Sequence, residues 1–283
     1  MTAPDDPTRT GGGSGARWAD LAPRIGSGLL LIAVALGTAV AGGHVFALFW
    51  LLAAGLVVWE WQRLIGRKGA WARTICGAVA LAVAVPLASA GRPGAALAVG
   101  AIGAAAAALL GQGRRVLAAT GVGYAAALAV SVVLLRDGLM GLPAVLWLFA
   151  VVWGTDIGAY FAGRMIGGPR LSPRWSPKKT WSGLAGGVAA GALLGVAVAP
   201  AGSSHGSVFV AGIVAGLLAQ AGDIAESALK RRFDVKDSSA LIPGHGGVMD
   251  RVDGFVVAAV FAAALGSARA GMDAAAAGLF YWQ

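Results

Sequence analysis

The chain has 283 residues, of which 58% are hydrophobic and only 12% are charged. A soluble domain usually carries about 25% charged residues, so this composition excludes an ordinary soluble protein. The net charge of +9 would indicate nucleic-acid binding in a soluble chain, but in an apolar chain it is typical of membrane loops rich in Lys and Arg. We therefore expect an integral membrane protein that lies in a lipid bilayer and binds no nucleic acid.

The chain begins with a polar stretch rich in Gly, Pro and Thr, which predicts a disordered tail over residues 1–24. Apolar runs long enough to cross a bilayer follow. They cover Ile25–Gly42, Val45–Ile65, Arg73–Ala90, Gly94–Leu110, Val116–Leu135, Leu139–Gly163, Gly183–Ala201, Ser207–Leu229 and Gly254–Ala270. The predicted fold class is thus an all-α polytopic membrane protein with nine transmembrane helices. We divide it into N-terminal transmembrane helices, residues 25–135, and a C-terminal transmembrane region, residues 136–283, whose polar residues, described below, make it the candidate catalytic region.

The basic residues between the predicted helices indicate the orientation of the chain. With a cytoplasmic N-terminus, nearly all of them fall in cytoplasmic loops, and only Arg92 and Arg136 fall in outside loops. Cytoplasmic loops normally carry this excess of Lys and Arg. The Ala-, Gly- and Arg-rich composition is typical of a bacterium with GC-rich DNA. We therefore expect a protein of the bacterial inner membrane whose active site faces the cytoplasm.

Four polar clusters lie in or beside the later predicted helices, where an ionisable group is costly and hence a functional candidate. The first places Asp156 and Arg164 on one face of the sixth helix; a structural Asp–Arg pair is the alternative. The second consists of Lys178, Lys179 and Thr180, just before a glycine-rich helix start. Free N–H groups at a helix N-terminus favour phosphate. The alternative is an ordinary basic loop of a membrane protein.

The third cluster is a polar stripe on the otherwise apolar eighth helix. Asp223, Glu226, Ser227 and Lys230 stand at positions i, i+3, i+4 and i+7, a spacing that places them on one helical face. A ladder of charges that neutralise one another is the structural alternative. Because Asp223 lies near the end of a lipid-spanning run, where such a ladder has little structural use, we favour a functional role.

The fourth cluster surrounds His245 near the C-terminus. Gly246 and Gly247 predict a flexible turn whose backbone can approach a ligand, and Asp250 and Asp253 share the face of the helix that follows. Carboxylate oxygens of this kind suit Mg²⁺; for His245 alone, a hydrogen-bonded loop residue is the alternative. Acids that hold a metal and bases that hold phosphates together predict phosphoryl or nucleotidyl transfer.

The run from Ser227 to Asp253 resembles the signature of the phosphatidate cytidylyltransferases, or CDP-diacylglycerol synthases. That signature is filled without a gap by Ser227, Lys230, Arg231, Lys236, Asp237, Ser239, Pro243, His245, Gly246, Gly247, Val248, Asp250, Arg251, Val252 and Asp253. The upstream stretches DIGAYFAGR, SPKKTWSG and QAGDIAES resemble accompanying motifs of the family, in the same order. One departure is Ser182, where many members carry Glu.

The resemblance implies that CTP and phosphatidic acid react to give CDP-diacylglycerol and pyrophosphate with Mg²⁺; a second cation and a homodimer are left open. It links Asp223 and Asp250 to the metal, and Asp253 and Glu226 are further candidate ligands. The candidate catalytic residues are Asp223, Asp250, Lys230, Arg231, Arg251 and His245. The candidate substrate-binding residues are Lys178, Lys179, Thr180, Ser227, Asp156, Lys236, Gly246 and Gly247.

Two other classes of function remain as alternatives. A CTP-dependent lipid kinase, or a CDP-lipid synthase for another acceptor lipid, would use a related scaffold. An ion-coupled transporter would instead spread its acids across the membrane depth, whereas the charged residues that follow Leu229 cluster at one mouth. The sequence therefore favours the cytidylyltransferase.

Overall fold

The computed structural model describes residues 14–282, with side chains from residue 26 onward. Most of this part is helical. The helices are α1 (Ser14–Ala41), α2 (Gly43–Leu64), α3 (Ala70–Ser89), α4 (Pro93–Leu109), α5 (Arg115–Arg136), α6 (Gly141–Met165), α7 (Trp181–Ala197), α8 (His205–Arg232), α9 (Met249–Ala270) and α10 (Ala275–Phe280). Two short strands, β1 (Arg170–Ser172) and β2 (Ser176–Thr180), precede α7. A 3-10 turn, Met272–Ala274, precedes α10.

Six of these helices, α2, α3, α5, α6, α8 and α9, are long and apolar enough to cross a membrane. Helices α4 and α7, together with the segment Gly26–Ala41 of α1, are apolar but shorter. Large apolar side chains such as Leu52 and Val79 are exposed on the outer surface, as lipid-facing residues are. An all-α integral membrane protein is therefore confirmed, while the number of crossings and their orientation stay predictions.

The predicted N-terminal tail meets the described structure only in its second half. Residues 1–13 lie outside the described part of the chain, and α1 begins at Ser14. Residues 14–24, which we expected to be irregular, are thus helical. Extending an existing helix adds one hydrogen bond per residue without a new nucleation step, which accounts for a helix that continues beyond its apolar segment.

An aromatic stack holds α9 against α2 and α6 in the core. The ring of Trp50 on α2 stacks on that of Phe255 on α9, with the ring centroids 5.2 Å apart. On its other flank, Phe149 of α6 stacks on Phe255 at 5.5 Å. Such aromatic pairs add to the stabilisation that burial provides. The stack fixes α9 two residues after Asp253.

Helices α6 and α7 pack closely because glycines face each other along their length. A Cβ atom at Gly154 would lie 3.2 Å from the Cα of Gly191, and one at Gly158 would lie 3.1 Å from the Cα of Gly187. Small residues at this spacing let helix backbones approach, so the glycines of α7 have a packing role. The pair also brings Asp156 of α6 next to the start of α7.

The hairpin β1–β2 is an addition to the all-α class predicted from sequence. Its strands pair antiparallel, with Arg170 opposite Thr180 and Ser172 opposite Ser176. Thr180 then caps α7, because its Oγ1 accepts a hydrogen bond from the backbone N–H of Gly183 at 3.1 Å. Strands this short carry too few residues for an alternating apolar pattern, and the hairpin therefore gave no sequence signal.

Candidate active site

A cavity of about 300 Å³ opens between α6, α7, α8 and the β-hairpin. Because it is lined by candidate catalytic and substrate-binding residues, we call this candidate active site the catalytic cavity. Its lining includes residues from three of the four predicted polar clusters, namely Asp156, Lys178, Lys179, Thr180 and Asp223. The fold therefore brings together acids and bases that lie far apart in the sequence. Cations and carboxylates around one cavity are the groups that bind a phosphate-bearing ligand and a divalent metal.

A chain of polar contacts orders the side chains of this cavity. The Nζ atom of Lys179 lies 2.5 Å from Oδ2 of Asp223 and donates to Oε1 of Gln220 at 2.8 Å. The Nε2 atom of Gln220 donates to Oδ1 of Asp156 at 2.9 Å. Ser227 donates to Oδ1 of Asp223 at 3.3 Å. Gln220 is a residue that the sequence analysis missed. The signal available in the sequence was an amide side chain within an apolar run.

Helices α8 and α9 cross at two glycines beside the cavity. A Cβ atom at Gly222 would lie 3.2 Å from the Cα of Gly254, so the crossing requires glycine. The next residue of α8 is Asp223 and the preceding residue of α9 is Asp253, and their carboxyl groups interact electrostatically. Asp253 also interacts with Asp156. The crossing thus gathers three carboxyl groups at one end of the helix bundle.

Lys230 lies between two buried carboxylates below this crossing. Its Nζ atom is 2.5 Å from Oε2 of Glu226 and 2.6 Å from Oδ1 of Asp250. The side chains are 10% exposed for Lys230 and 3% exposed for each acid. Since its ammonium group is shared by two acids, Lys230 holds α8 against the start of α9. Through these contacts Lys230 positions the carboxylates of Glu226 and Asp250.

Asp250 also holds the loop between α8 and α9. Its carboxylate accepts hydrogen bonds from the backbone N–H of Ser238 at 2.9 Å, from the Ser238 hydroxyl at 3.0 Å and from the N–H of Gly247 at 2.7 Å. Gly246 adopts a φ of 78°, a conformation that favours glycine. The backbone of Gly246 and Gly247 therefore approaches a protein carboxylate closely.

Glu60 on α2 is a second carboxylate that holds this loop, and the sequence analysis missed it. Its side chain is fully buried. It accepts hydrogen bonds from the N–H groups of Val248 and Met249, at 2.9 and 2.7 Å, and from the hydroxyl of Ser239 at 2.6 Å. A carboxylate at a helix N-terminus satisfies free N–H groups and opposes the positive end of the helix dipole. The available signal was an ionisable residue inside an apolar run.

The other predicted residues lie around the loop. The Nδ1 atom of His245 is 2.9 Å from the hydroxyl of Ser27 on α1. Arg231 donates to the carbonyl of Val235 at 2.8 Å, and Lys236 is exposed. Arg251 is exposed and interacts electrostatically with Asp156. Arg251 thus interacts with a residue that lines the catalytic cavity.

The predicted metal ligands do not form a single cluster. In the part of the chain that the structure describes, no three His, Cys, Asp or Glu side chains are arranged to hold a metal ion. Asp223 lines the catalytic cavity and Asp253 lies at the α8–α9 crossing, while Glu226 and Asp250 contact Lys230. Ser182, where many family members carry Glu, donates to the carbonyl of Gly167, just before the hairpin.

Comparison with known proteins identifies the class to which this membrane protein belongs. The profile of the cytidylyltransferase family matches residues 22–268. The chain therefore belongs to the cytidylyltransferase family, and the resemblance found in its sequence motifs is confirmed. The match extends well upstream of those motifs and includes the helix that carries Glu60.

Individual relatives agree with the family assignment. The chain is 40% identical over 247 residues to the phosphatidate cytidylyltransferase of Brucella suis, a match that covers 85% of this chain and 91% of the relative. It is 36% identical over 269 residues to that of Pseudomonas aeruginosa, covering 88% and 98%. With that of Bacillus subtilis it shares 40% identity over 119 residues, covering 41% and 44%.

Proposed function

We propose that this protein transfers CMP from CTP to phosphatidic acid, giving CDP-diacylglycerol and pyrophosphate. The observation that carries the proposal is the catalytic cavity, where Lys178, Lys179 and Asp223 line one space at the end of the helix bundle. Membership in the cytidylyltransferase family and relatives that are named phosphatidate cytidylyltransferases support it. A membrane location lets a lipid acceptor reach the cavity from the bilayer.

The reaction requires charge neutralisation more than proton transfer. An oxygen of the phosphatidic acid phosphate attacks the α-phosphorus of CTP, and the bond to the β-phosphate breaks with its electron pair going to pyrophosphate. Since the attacking phosphate is already ionised near neutral pH, no strong general base is required. The barrier is the repulsion between two anions, which Lys178, Lys179 and Arg251 lower by placing positive charge around the phosphates. Gln220 and Asp223 hold the Lys179 ammonium in place.

We further propose that Asp223 and Asp253 hold Mg²⁺ at the α8–α9 crossing. Mg²⁺ is usually bound through one or two carboxylates together with substrate phosphates, and this donor set fits that pattern. When bound, the ion supplies positive charge to the phosphate oxygens. Asp250 and Glu226 act differently in this proposal, because Lys230 neutralises them and Asp250 orders the loop.

Purified protein in detergent, given CTP labelled in the α-phosphate and phosphatidic acid, should form labelled CDP-lipid only when Mg²⁺ is present. Asp223→Asn and Asp253→Asn should each lower turnover by at least about a hundredfold, as loss of a charge-stabilising group does, and should raise the Mg²⁺ concentration needed. Asp273→Asn, at an exposed aspartate of the 3-10 turn, is the matched control.

The products decide between the proposed reaction and its rivals. Labelled CDP and unlabelled lipid phosphate would instead show a CTP-dependent lipid kinase, and no Mg²⁺-dependent turnover would argue for a transporter. If Asp253→Asn retains a normal Mg²⁺ requirement while Asp250→Asn raises it, the metal lies on Asp250 and the ligand assignment is wrong.

We also propose that nine helices cross the inner membrane with the N-terminus in the cytoplasm. The shorter apolar helices supply the three crossings beyond the six long ones, and the distribution of Lys and Arg supports this orientation. In that arrangement the catalytic cavity opens to the cytoplasm, where CTP is soluble. A homodimer stays a prediction.

Cysteine labelling tests this topology. In a Cys76→Ala background, cysteines at Arg67 and Lys236 should react with an impermeant thiol reagent only after the membrane is opened. Both positions are exposed in the structure. A cysteine there that fails to react is therefore shielded by the membrane and not by burial within the protein. A cysteine at Arg92, predicted to lie outside, should react in intact cells. Labelling of Arg67→Cys but not Lys236→Cys from outside would contradict the nine-helix count.

A further inference from the structure

A second cavity lies between the turn that joins α2 to α3 and the turn that joins α4 to α5. Its volume is about 300 Å³, and we call it the basic cavity because four cationic residues line it: Arg67, Lys68, Arg73 and Arg114. It shares no lining residue with the catalytic cavity. The basic cavity therefore needs an explanation of its own.

Among residues 26–282, no carboxylate forms an ion pair with a cation of this cavity. Arg73 is only 3% exposed, and its guanidinium donates to neutral acceptors, among them Oε1 of Gln62 at 2.8 Å and the carbonyl of Gly66 at 2.7 Å. No Asp or Glu lines the cavity, and within residues 26–282 none of its four cations forms an ion pair. Because buried charges are normally paired, this arrangement is suited to an anionic ligand.

The cavity walls are also held in place before any ligand arrives. Arg114 donates to the carbonyl of Ile65 and so joins the two turns, and its guanidinium lies 5.2 Å from the ring centroid of Phe233. Gln112 has a φ of 38°, which is uncommon for a residue other than glycine. Preorganised cations lose less conformational freedom on binding.

A neighbouring groove places the basic cavity at the level of lipid headgroups. Arg67 lines both spaces, and the groove is otherwise lined mainly by Trp59, Arg63 and Trp71. The guanidinium of Arg63 lies 4.9 Å from the centroid of the Trp59 ring, and Trp71 is 67% exposed. Tryptophans and basic residues are enriched together at the membrane–water interface, so a lipid headgroup can reach the cavity.

We propose that the basic cavity binds a phosphate group, carried by an anionic lipid or free in solution, at a site separate from the catalytic cavity. Arg and Lys donate charge-assisted hydrogen bonds that match phosphate oxygens. The proposal does not rest on the proposed reaction, because binding here is measured without turnover of CTP.

The test compares lipids and charge variants by native mass spectrometry of the full chain in a neutral detergent. Dioleoylphosphatidylglycerol, which carries a phosphate, should bind, and dioleoylglycerol, which lacks one, should not. The double variant Arg67→Gln/Lys68→Gln should weaken phosphatidylglycerol binding at least about tenfold, the effect of losing hydrogen bonds to a charged group. Arg115→Gln/Arg174→Gln removes the same charge from exposed residues that line neither cavity, and it should bind like the unchanged protein.

Inorganic phosphate distinguishes the two sources of the ligand. If phosphate binds in calorimetry and the Arg67→Gln/Lys68→Gln variant loses that binding, while phosphatidylglycerol does not bind, the site takes a soluble phosphate. The proposal is overturned if neither probe binds, or if the control variant loses as much affinity as the test variant, since the interaction would then reflect general surface charge. Binding that survives in Lys179→Gln places the ligand outside the catalytic cavity; binding lost in that variant assigns it to the catalytic cavity and also overturns the proposal.

Discussion

Lys230→Met is expected to destabilise the protein by about 3 to 5 kcal/mol, the usual effect of removing one partner from a buried ion pair. The ammonium group of Lys230 lies between the buried carboxylates of Glu226 and Asp250, at 2.5 and 2.6 Å. Methionine has a similar length but no charge, so the carboxylates of Glu226 and Asp250 would lose their positive partner. The free energy of unfolding, measured by titration with SDS in detergent micelles, should fall accordingly.

A second substitution separates charge imbalance from lost packing. Lys230→Met/Glu226→Gln also removes one of the two buried negative charges that the single variant leaves unpaired. Asp250 keeps its hydrogen bonds from Ser238 and Gly247. We expect the double variant to recover much of the stability that the single variant loses. Lys236→Met, at an exposed lysine of the same loop, should change stability by less than about 0.5 kcal/mol. Equal destabilisation in the single and double variants would show that the ion pairs are not the cause.

Glu60→Gln is expected to lower kcat by about a hundredfold and to change the KM for CTP much less. The carboxylate of Glu60 accepts from two backbone N–H groups and from the hydroxyls of Ser238 and Ser239. An amide presents its own N–H groups to some of these donors, and each buried donor left unsatisfied costs about 1 to 3 kcal/mol. The start of α9, which carries Asp250 and Asp253, would then lose its fixed position. Steady-state kinetics of CDP-lipid formation measures the effect.

Hydrogen exchange gives a local readout for the same variant. Amide protection should fall in the peptide covering residues 238–250 and stay unchanged in peptides from α4, which packs against α3 and α5. Ser131→Ala, at a buried serine of α5, controls for general destabilisation and should keep kcat close to normal. A Glu60→Gln enzyme with normal kcat and loosened exchange would show that the loop order is not needed for catalysis.

Hydropathy and short motifs were enough to predict the membrane class and to select residues that line one cavity. Each predicted apolar run corresponds to one described helix, because a long apolar stretch must form a helix in lipid. The motif residues Asp156, Lys178, Lys179 and Asp223 were recognised because an ionisable group is conspicuous in an apolar sequence, and the structure places them in one cavity.

The partners of those residues could not be predicted in the same way. The contact between Glu60 and Val248 joins residues 188 positions apart, and that between Gln220 and Asp156 joins residues 64 apart. Helical periodicity relates only neighbours on the same helix, so it could not show which acid would meet which donor. The pairing of Asp250 with Lys230, and of Asp223 with Lys179, follows from how α8 crosses α9 and how the hairpin folds over α8.

The sequence by itself thus determined which residues carry charge, which segments are apolar enough to lie in lipid, and to which family the chain belongs. Only the tertiary structure decided that Asp250 and Glu60 hold the loop, that Asp223 and Asp253 meet at a glycine crossing, and that the basic cavity is separate from the catalytic one. The physical reason is that hydropathy and motif spacing describe residues that are close together in the sequence. Hydrogen bonds and ion pairs between helices depend on close packing, which glycines and small side chains set only when the whole bundle is assembled.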